Sequence, residues 1–205
     1  MKLLFFDTET NGLPLSRNAP EAQVDNWPRV VSIAWRLYDW KAGSILSEKH
    51  AIVKPLQEMA WSKESAAIHG ISKERAFEEG RPILELLTEF KEVASMADAI
   101  IAHNMAFDRP VLQCEFRRAG LSLEDWPLQE FCTMDSTKGL CKLPTRYGRP
   151  SDPYKYPKLV ELHTFLFGNK GDYAFHSALD DVRCLVKCFE ELCFRRVVPL
   201  DDWIT

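Results

Sequence analysis

Met1-Lys-Leu-Leu-Phe-Phe-Asp-Thr-Glu9, the first nine residues, join an apolar run to two carboxylates. The run from Leu3 to Phe6 predicts a buried strand that stops at Asp7. Side chains alternate faces along a strand, so Asp7 and Glu9 point to the same side. Two neighbouring acids repel each other unless a hard divalent cation lies between them. The pattern is also typical of a strand-end cap followed by a solvated turn residue, and the turn at residues 11–14 fits both interpretations.

Length and composition are those of an ordinary globular protein. The chain has 205 residues, of which 46% are hydrophobic and 27% charged, and we expect residues 1–205 to form one domain with a substantial core. The formal net charge of −4 argues against a protein that coats nucleic acid by bulk electrostatics. It leaves open a local basic groove, or a site that reaches phosphate through bound metal. No apolar run approaches the length of a membrane span.

The cysteines form no CxxC pair, which favours reduced thiols over zinc ligands or disulfides. We therefore expect a cytoplasmic protein. The six residues are Cys114, Cys132, Cys141, Cys184, Cys188 and Cys193.

Hydrophobic periodicity predicts alternating strands and helices along the whole chain. Apolar and polar residues alternate over 29–39, and a further strand is predicted over 47–54, so the first three strands form an antiparallel meander. Two more short strands are predicted over 98–102 and 131–134. Helical patterns are predicted at residues 62–68, from Pro82 to about residue 94, and at 106–120, 158–167 and 177–196.

The stretch from Lys138 to Pro157 is the least regular part of the sequence. Basic residues outnumber the single acid in it, and three tyrosines are interspersed. A basic, aromatic loop is suited to hold a single strand of nucleic acid. A solvated loop whose tyrosines cover the edge of the domain explains the composition equally well.

Strand ends expose functional groups in α/β sheets, and three places in this sequence carry suitable side chains there. They are Asp7 with Glu9, the stretch from His103 to Asp108, and the stretch from His176 to Asp181. His176 and Asp181 lie about 140° apart around an ideal helix. Both therefore reach one site only if His176 lies on the loop before the helix.

At these three places the sequence resembles the DEDDh exonucleases, the group that contains the DnaQ-like proofreading subunits. Phe5-Phe-Asp-Thr-Glu-Thr-Asn-Gly-Leu-Pro14 is similar to their first motif. His103-Asn-Met-Ala-Phe-Asp108 is similar to the second, and His176-Ser-Ala-Leu-Asp-Asp181 to the third. The motifs occur in the right order over nearly the whole chain. The histidine, where a related subgroup has tyrosine, indicates the h-type.

The resemblance implies an α/β protein with a ribonuclease H-like fold. Its mixed five-stranded sheet, an antiparallel meander followed by parallel strands, is flanked by helices. The implied activity is that of a 3′–5′ exonuclease, which releases nucleoside 5′-monophosphates from single-stranded DNA or RNA ends with two divalent cations, Mg²⁺ or Mn²⁺. Asp7 would bridge both cations, and His176 would be the general base, a role that suits an imidazole at neutral pH. The implied metal ligands are Asp7, Glu9, Asp108 and Asp181.

The resemblance also implies substrate-binding residues. Glu64 and His69 look like family positions that line the pocket for the terminal nucleotide. Residues 10–13 would offer backbone groups to the 3′ hydroxyl, and Phe107 would either stack on a base or fill the core. The full set is Thr10, Gly12, Leu13, Glu64, His69, Asn104 and Phe107. The remaining histidines, His50 and His163, lack such a context and are expected at the surface.

Alternatives to this interpretation come from different classes of protein. A catalytically inactive nucleic-acid-binding or assembly module has no chemical reason to keep four acids and His176. An enzyme that cuts RNA–DNA hybrids internally is disfavoured by His176. The sequence ends at Thr205 without an extended tail after the last helix, so we expect a free-standing enzyme rather than a polymerase-associated proofreading subunit. The sequence decides neither whether the substrate is DNA or RNA nor what the oligomeric state is.

Overall fold

The computed structural model describes residues 1–124, 126–127, 129–149, 151–198 and 200, with the backbone alone at 146–149. Five strands form a mixed sheet: β1 (Lys2–Thr10), β2 (Val30–Asp39), β3 (Ser44–Ile52), β4 (Ala99–Ala102) and β5 (Gln129–Cys132). The strand order is β3-β2-β1-β4-β5. Strands β1 to β3 pair antiparallel, whereas β4 pairs parallel with both β1 and β5. The predicted meander followed by parallel strands is confirmed.

Seven helices flank this sheet within the described part of the chain, and a short second sheet lies beside it. The helices are α1 (Lys63–His69), α2 (Lys73–Glu79), α3 (Ile83–Ser95), α4 (Met105–Arg118), α5 (Thr133–Cys141), α6 (Leu159–Phe167) and α7 (Ala178–Phe194). The second sheet is an antiparallel pair of β6 (Pro144–Arg149) and β7 (Asp152–Tyr154). None of the described helices has the length and apolarity that crossing a membrane requires.

Strand β1 lies at the centre of the sheet and contributes to both hydrophobic cores. Leu4 and Phe6 belong to the core on the α3 and α4 side. Leu3 and Phe5 belong to the core on the α6 and α7 side. All four side chains are 0% exposed. This alternation determines where the polar residues that follow in β1 point.

Strand β1 is longer than predicted, because it continues through the two acids to Thr10. Backbone pairing with β2 extends along the whole strand, from Lys2 opposite Asp39 to Thr10 opposite Val30. Pairing with β4 covers only Leu3 to Phe5. The carboxylates are thus part of a strand that has a partner on one side and an open edge on the other.

The prediction of an irregular loop from Lys138 to Pro157 is wrong for most of that stretch. Helix α5 begins directly after β5 and runs to Cys141, and the β6–β7 hairpin follows. The Cys132 thiol caps α5 by accepting a hydrogen bond from the Asp135 amide. The helical pattern is hard to see in the sequence because the buried face of α5 is made of Thr133, Thr137 and Cys141 rather than large apolar residues.

The expectation for His163 is also wrong. Its side chain is 1% exposed, and its ring packs between Phe167 and Tyr173, with centroid distances of 4.6 and 5.4 Å. Its Nδ1 atom donates to the Asn169 carbonyl oxygen at 2.8 Å. His50 is exposed, as expected, and its Nε2 lies 3.0 Å from Ser32 Oγ.

A buried ion pair anchors the loop between β1 and β2. Glu115 on α4 is 1% exposed, and its carboxylate accepts two hydrogen bonds from Arg29, at 2.7 and 3.0 Å. It also accepts from the Val30 amide and from Arg118. Arg118 in turn donates to backbone carbonyls of the same loop, among them that of Trp27 at 2.7 Å. The network holds the loop that follows the two acids of β1 against α4.

We expect Glu115→Ala to lower the free energy of unfolding by about 2–4 kcal/mol. Removing one partner of a buried ion pair typically costs about 3–5 kcal/mol, and the partial exposure of the two arginines reduces that figure. Urea unfolding followed by circular dichroism measures the change. The control is Glu79→Ala, which removes an exposed pair with Arg75 and costs at most about 0.5 kcal/mol. Equal losses in both variants would contradict the anchoring role.

Candidate active site

Strand parity directs the residues at the end of β1 to opposite faces of the sheet. Asp7 and Glu9 lie on the same face of the sheet as Leu3 and Phe5, so they face α7. Thr8 has the parity of Phe6 and faces α4. The three consecutive polar residues therefore contact two different helices.

Asp108, in the first turn of α4, is attached to β1 through Thr8. Because β4 pairs with β1 only as far as Phe5, the Thr8 amide is free to donate elsewhere. It donates to Asp108 Oδ1 at 3.1 Å, and the Thr8 hydroxyl donates to the same oxygen at 2.7 Å. Asp108 is 4% exposed, so these two bonds hold its carboxylate beside the acids of β1.

His176 lies on the loop before α7, which is the placement that its spacing from Asp181 requires. Its backbone has φ = 71°, in the left-handed region. The His176 amide donates to Asp181 Oδ2 at 2.9 Å, and the Ala174 amide donates to Asp180 Oδ2 at 3.2 Å. The two adjacent acids of α7 thus fasten the loop. Asp181 faces the β1 acids, while Asp180 pairs with Arg183 at 3.6 Å.

Burial raises the pKa values of all four carboxylates, and the charges of neighbouring acids add to the effect. Burial and the charges of Asp108, Asp181 and Glu9 raise the pKa of Asp7 well above its ordinary value. Burial, with Asp181 and Asp108, raises the pKa of Glu9 to about 8. Burial raises the pKa of Asp108 to about 7 against the opposing hydrogen bonds from Thr8. It raises the pKa of Asp181 to about 6 against the hydrogen bond from His176. Without a cation, the cluster thus retains protons near neutral pH.

These pKa values predict how the stability of the metal-free protein depends on pH. A carboxyl whose pKa is raised on folding binds more protons in the folded state, so the free energy of unfolding falls as pH rises from the unfolded value, about 4, through the folded value. We expect the metal-free melting temperature to fall by several degrees between about pH 5 and 8.5, at roughly 2–4 °C per kcal/mol. Calorimetry in EDTA measures the melting temperature at each pH.

The matched comparison for this prediction is the same titration with Mg²⁺ and with the Asp7→Asn variant. A bound cation relieves the repulsion and stabilises the folded state by mass action, so Mg²⁺ should raise the melting temperature most at high pH. Asp7→Asn should flatten the metal-free slope. A metal-free melting temperature that rises through this window would refute the electrostatic coupling.

The site lies in a cavity of about 370 Å³. Apolar and polar residues from β1, α4, α5, α6 and the loop before α7 surround it. The lining residues include all of the predicted acids and the predicted base: Asp7, Thr8, Glu9, His103, Asn104, Phe107, Asp108, Met134, Tyr156, Pro157, Lys158, Leu159, Val160, Phe175, His176 and Asp181. We call it the catalytic cavity below.

His103, at the end of β4, supports the cavity wall rather than competing with His176. Burial lowers the pKa of His103 to about 4, so the ring is neutral. Its Nε2 lies 3.0 Å from the Pro157 carbonyl oxygen, which can only accept, so the ring proton is on Nε2. Nδ1 accepts from the Thr133 hydroxyl at 3.0 Å. The ring thereby joins β4, α5 and the segment that precedes α6.

Several residues of the wall were not predicted from the sequence, and Tyr156 and Lys158 are the two with polar groups that bear on substrate binding. Tyr156 belongs to the stretch left open between a strand-binding and a solvated loop, and Lys158 lies one residue beyond that stretch. Of the residues that the structure describes, Lys158 alone brings a positive charge to this wall. A lysine at the start of a predicted helix gave no signal beyond that of a surface residue.

The structure distributes the predicted substrate-binding residues unevenly. Asn104 and Phe107 line the catalytic cavity. Leu13 lines a neighbouring cavity, together with Asn104 and Phe107 again. The other four predicted residues, Thr10, Gly12, Glu64 and His69, line neither of these two cavities.

Those four residues instead shape the end of β1 and the two ends of α1. The Thr10 hydroxyl donates to the Gly12 carbonyl oxygen at 2.8 Å. His69 Nδ1 accepts from the Ile71 amide at 3.1 Å, and Glu64 accepts from the Ser62 hydroxyl at 2.9 Å. The Ser62 amide donates to the Asn11 carbonyl at 3.2 Å, which joins α1 to the loop after β1.

The donor set fits hard divalent cations. Carboxylate oxygens are the ligands that Mg²⁺ and Mn²⁺ prefer. Ligand atoms of Glu9, His176 and Asp181 lie within 4.8 Å of one another, a spacing that a shared cation at about 2.0–2.6 Å from each ligand can span. Burial is the largest cause of the raised carboxyl pKa values, and the repulsion between the acids that adds to it is the interaction that a cation would relieve.

Comparisons with known proteins identify the family of the chain and similar folds. The family model RNase_T, described as exonuclease, matches residues 4–189. The fold is similar to that of E. coli exonuclease I in complex with a dA16 oligonucleotide, at 16% identity and a TM-score of 0.71 over 96% of this chain and 42% of that one. The fold is also similar to that of the zinc-bound form of the E. coli exonuclease I–single-stranded DNA complex, at 17% identity and a TM-score of 0.74 over 98% of this chain and 42% of that one.

A third similar structure is exonuclease I from Methylocaldum szegediense, at 20% identity and a TM-score of 0.72, covering 95% of this chain and 41% of that one. The chain thus spans about two fifths of the length of these exonucleases. A search of curated proteins found no significant match.

Proposed function

Because the chain belongs to the RNase_T exonuclease family, a family of nucleases that implies divalent metal ions, we propose that it is a 3′–5′ exonuclease acting on single-stranded DNA or RNA ends. One exonuclease domain over residues 1–205 would release nucleoside 5′-monophosphates. The observation that carries the proposal is the convergence of four acids and His176 from β1, α4 and the α7 region on one cavity. The raised pKa values of the four acids are typical of a functional site.

Asp7, Glu9, Asp108 and Asp181 would hold two divalent cations in this proposal. Such cations, when bound, lower the pKa of a water molecule and neutralise the charge that develops on the phosphate. His176 would take the proton of the attacking water, since its side chain lies close to Glu9 and Asp181 on an exposed loop. Its backbone amide, bonded to Asp181, keeps the ring at the mouth of the cavity.

The cavity wall would bind the strand. Lys158 offers a positive charge to the negatively charged phosphodiester, which the acids alone would repel. Asn104 and Phe107, at the start of α4, would contact the terminal nucleotide. We propose that Thr10, Gly12, Glu64 and His69 act at its 3′ end through the backbone they position, because their own contacts order the loop after β1 and the two ends of α1.

Product analysis tests the proposal. Single-stranded DNA and RNA oligomers carrying a 5′ label are incubated with the protein and Mg²⁺ or Mn²⁺, with and without EDTA. We expect a ladder that shortens from the 3′ end, release of nucleoside 5′-monophosphates, and complete inhibition by EDTA. Circular single strands should remain intact. Cleavage of circles would indicate an internal cutter, and binding without release in any metal would indicate a catalytically inactive module.

A further inference from the structure

A second cavity of about 450 Å³ opens beside the catalytic cavity. The two share four lining residues, Asn104, Phe107, Met134 and Tyr156. On the far side of these residues, the second cavity is bounded by the loop after β1. A strand whose end lies in the catalytic cavity therefore has a continuous path into this space, past Tyr156.

Contacts of Lys138 and Pro157 position Tyr156 at the boundary between the two cavities. Lys138 Nζ lies 4.3 Å from the centroid of its ring, and that ammonium is itself fixed by Asp152 of β7 at 2.6 Å. On the other side in sequence, the Pro157 carbonyl is held by His103. A cation on one face of the ring leaves the opposite face for another partner, and Tyr156 is 49% exposed. Accessible aromatic rings are the usual platforms on which single-stranded bases stack.

The rest of the second cavity is chemically suited to a nucleobase. Leu13, Pro14 and Met134 offer apolar surface. Trp27 also lines the cavity, and its buried indole N–H has no hydrogen-bond partner within the described part of the chain. Arg17 and Asn18 add donors, and Asp135 adds an acceptor for an exocyclic amino group. Donors and acceptors around an apolar slot match a heteroaromatic base better than a purely apolar ligand.

We propose that this second cavity binds the base of the nucleotide next to the terminal one, stacked on Tyr156. The inference rests on the proposed function, because it requires a strand end in the catalytic cavity. It assigns a role to the segment around Tyr156, and it makes the substrate a strand of at least two nucleotides whose penultimate base is unpaired. A base paired in a duplex has its faces covered by its neighbours and is not free to stack on the ring.

A thermodynamic cycle between Tyr156 and the penultimate base tests the proposal. Binding of a 5′-fluorescent single-stranded DNA 12-mer is measured by anisotropy with Ca²⁺ in place of Mg²⁺. A second oligomer lacks the penultimate 3′ base, and a third lacks a base near the 5′ end. Stacking of one base is worth about 1–3 kcal/mol, so removing the penultimate base should raise Kd by roughly 5- to 150-fold for the wild type. Removing the distant base should change Kd less than twofold.

The variants decide whether that loss depends on Tyr156. With Tyr156→Ala, removal of the penultimate base should change Kd less than twofold, whereas Tyr156→Phe should keep the full effect. Phe194→Ala, an 84% exposed aromatic away from both cavities, should behave as the wild type. A wild type that is indifferent to the missing base would overturn the proposal. So would an undiminished loss in Tyr156→Ala with an unchanged melting temperature.

Nucleotide release from the intact oligomer with Mg²⁺ separates this proposal from the function on which it rests. Nucleotide release together with a failed cycle would overturn the base-binding role of the second cavity and leave the exonuclease function standing. A successful cycle without nucleotide release would support a strand-binding site and overturn the exonuclease function. An oligomer that does not bind at all would overturn both.

Discussion

Asp7→Asn should reduce Mg²⁺-dependent nucleotide release by at least about 10³-fold. Asp7 is the carboxylate whose pKa responds to all three of the other acids, so its removal affects every cation position that the cluster offers. Cations stabilise the transition-state charge of phosphoryl transfer by several kcal/mol, and 1.36 kcal/mol corresponds to a factor of ten in rate. Asparagine has nearly the same shape, which leaves the strand and its packing intact. Release of labelled nucleotide under single-turnover conditions measures the change.

Stability distinguishes this loss of activity from unfolding. Asp7 is repelled by its neighbours in the metal-free protein, so its neutral replacement should raise the metal-free melting temperature at pH 8 while activity collapses. Asp98→Asn is the matched control, because Asp98 accepts a hydrogen bond from the Lys2 amide at the opposite end of β1. It should retain wild-type activity. Retained activity in Asp7→Asn, or its loss together with a lowered melting temperature, would contradict the proposed role.

His176→Asn should lower kcat by about 10²–10⁴-fold, the range typical of a positioned general base. Asparagine is the suitable replacement because the backbone at this position has φ = 71°, a conformation that asparagine tolerates better than most residues. The backbone hydrogen bond to Asp181 is therefore preserved. Single-turnover rates at saturating Mg²⁺ measure the loss.

Two further measurements separate a proton-accepting role of His176 from direct metal binding. If the imidazole accepts a proton, the Mg²⁺ concentration for half-maximal activity stays within about threefold of the wild type, and added imidazole restores part of the rate. A large rise in the Mg²⁺ requirement without rescue would instead make His176 a metal ligand, which its distance to Glu9 and Asp181 also permits. Unchanged kcat would exclude both roles.

The sequence located the candidate site because its residues lie in local patterns. The alternation of β1 is visible in Leu3 to Glu9 and assigns Asp7 and Glu9 to one face without any tertiary information. The spacing of His176 and Asp181 likewise specified that the histidine must precede α7. The meander and the parallel strands follow from hydrophobic periodicity, which depends on nearest neighbours along the chain.

The surroundings of the site were decided by the tertiary structure. The helical face of α5 is made of threonine and cysteine, and its burial depends on the helices that pack against it. His163 is buried because aromatic neighbours and a carbonyl oxygen meet it in space. The contact of His103 with Pro157 helps to place Tyr156 and Lys158 at the cavity wall. His103 lies 54 residues before Pro157 in the sequence, so no local pattern predicts this contact.

The electrostatic character of the site divides in the same way. That two acids of β1 share a face is a property of strand geometry, and it can be read from nine residues. That Glu9 has a pKa of about 8 requires its burial and the charges of Asp181 and Asp108, which lie on two helices distant in sequence. Like-charge repulsion and burial act through space, so a pattern along the chain can identify the residues of the site but not the strength of their coupling.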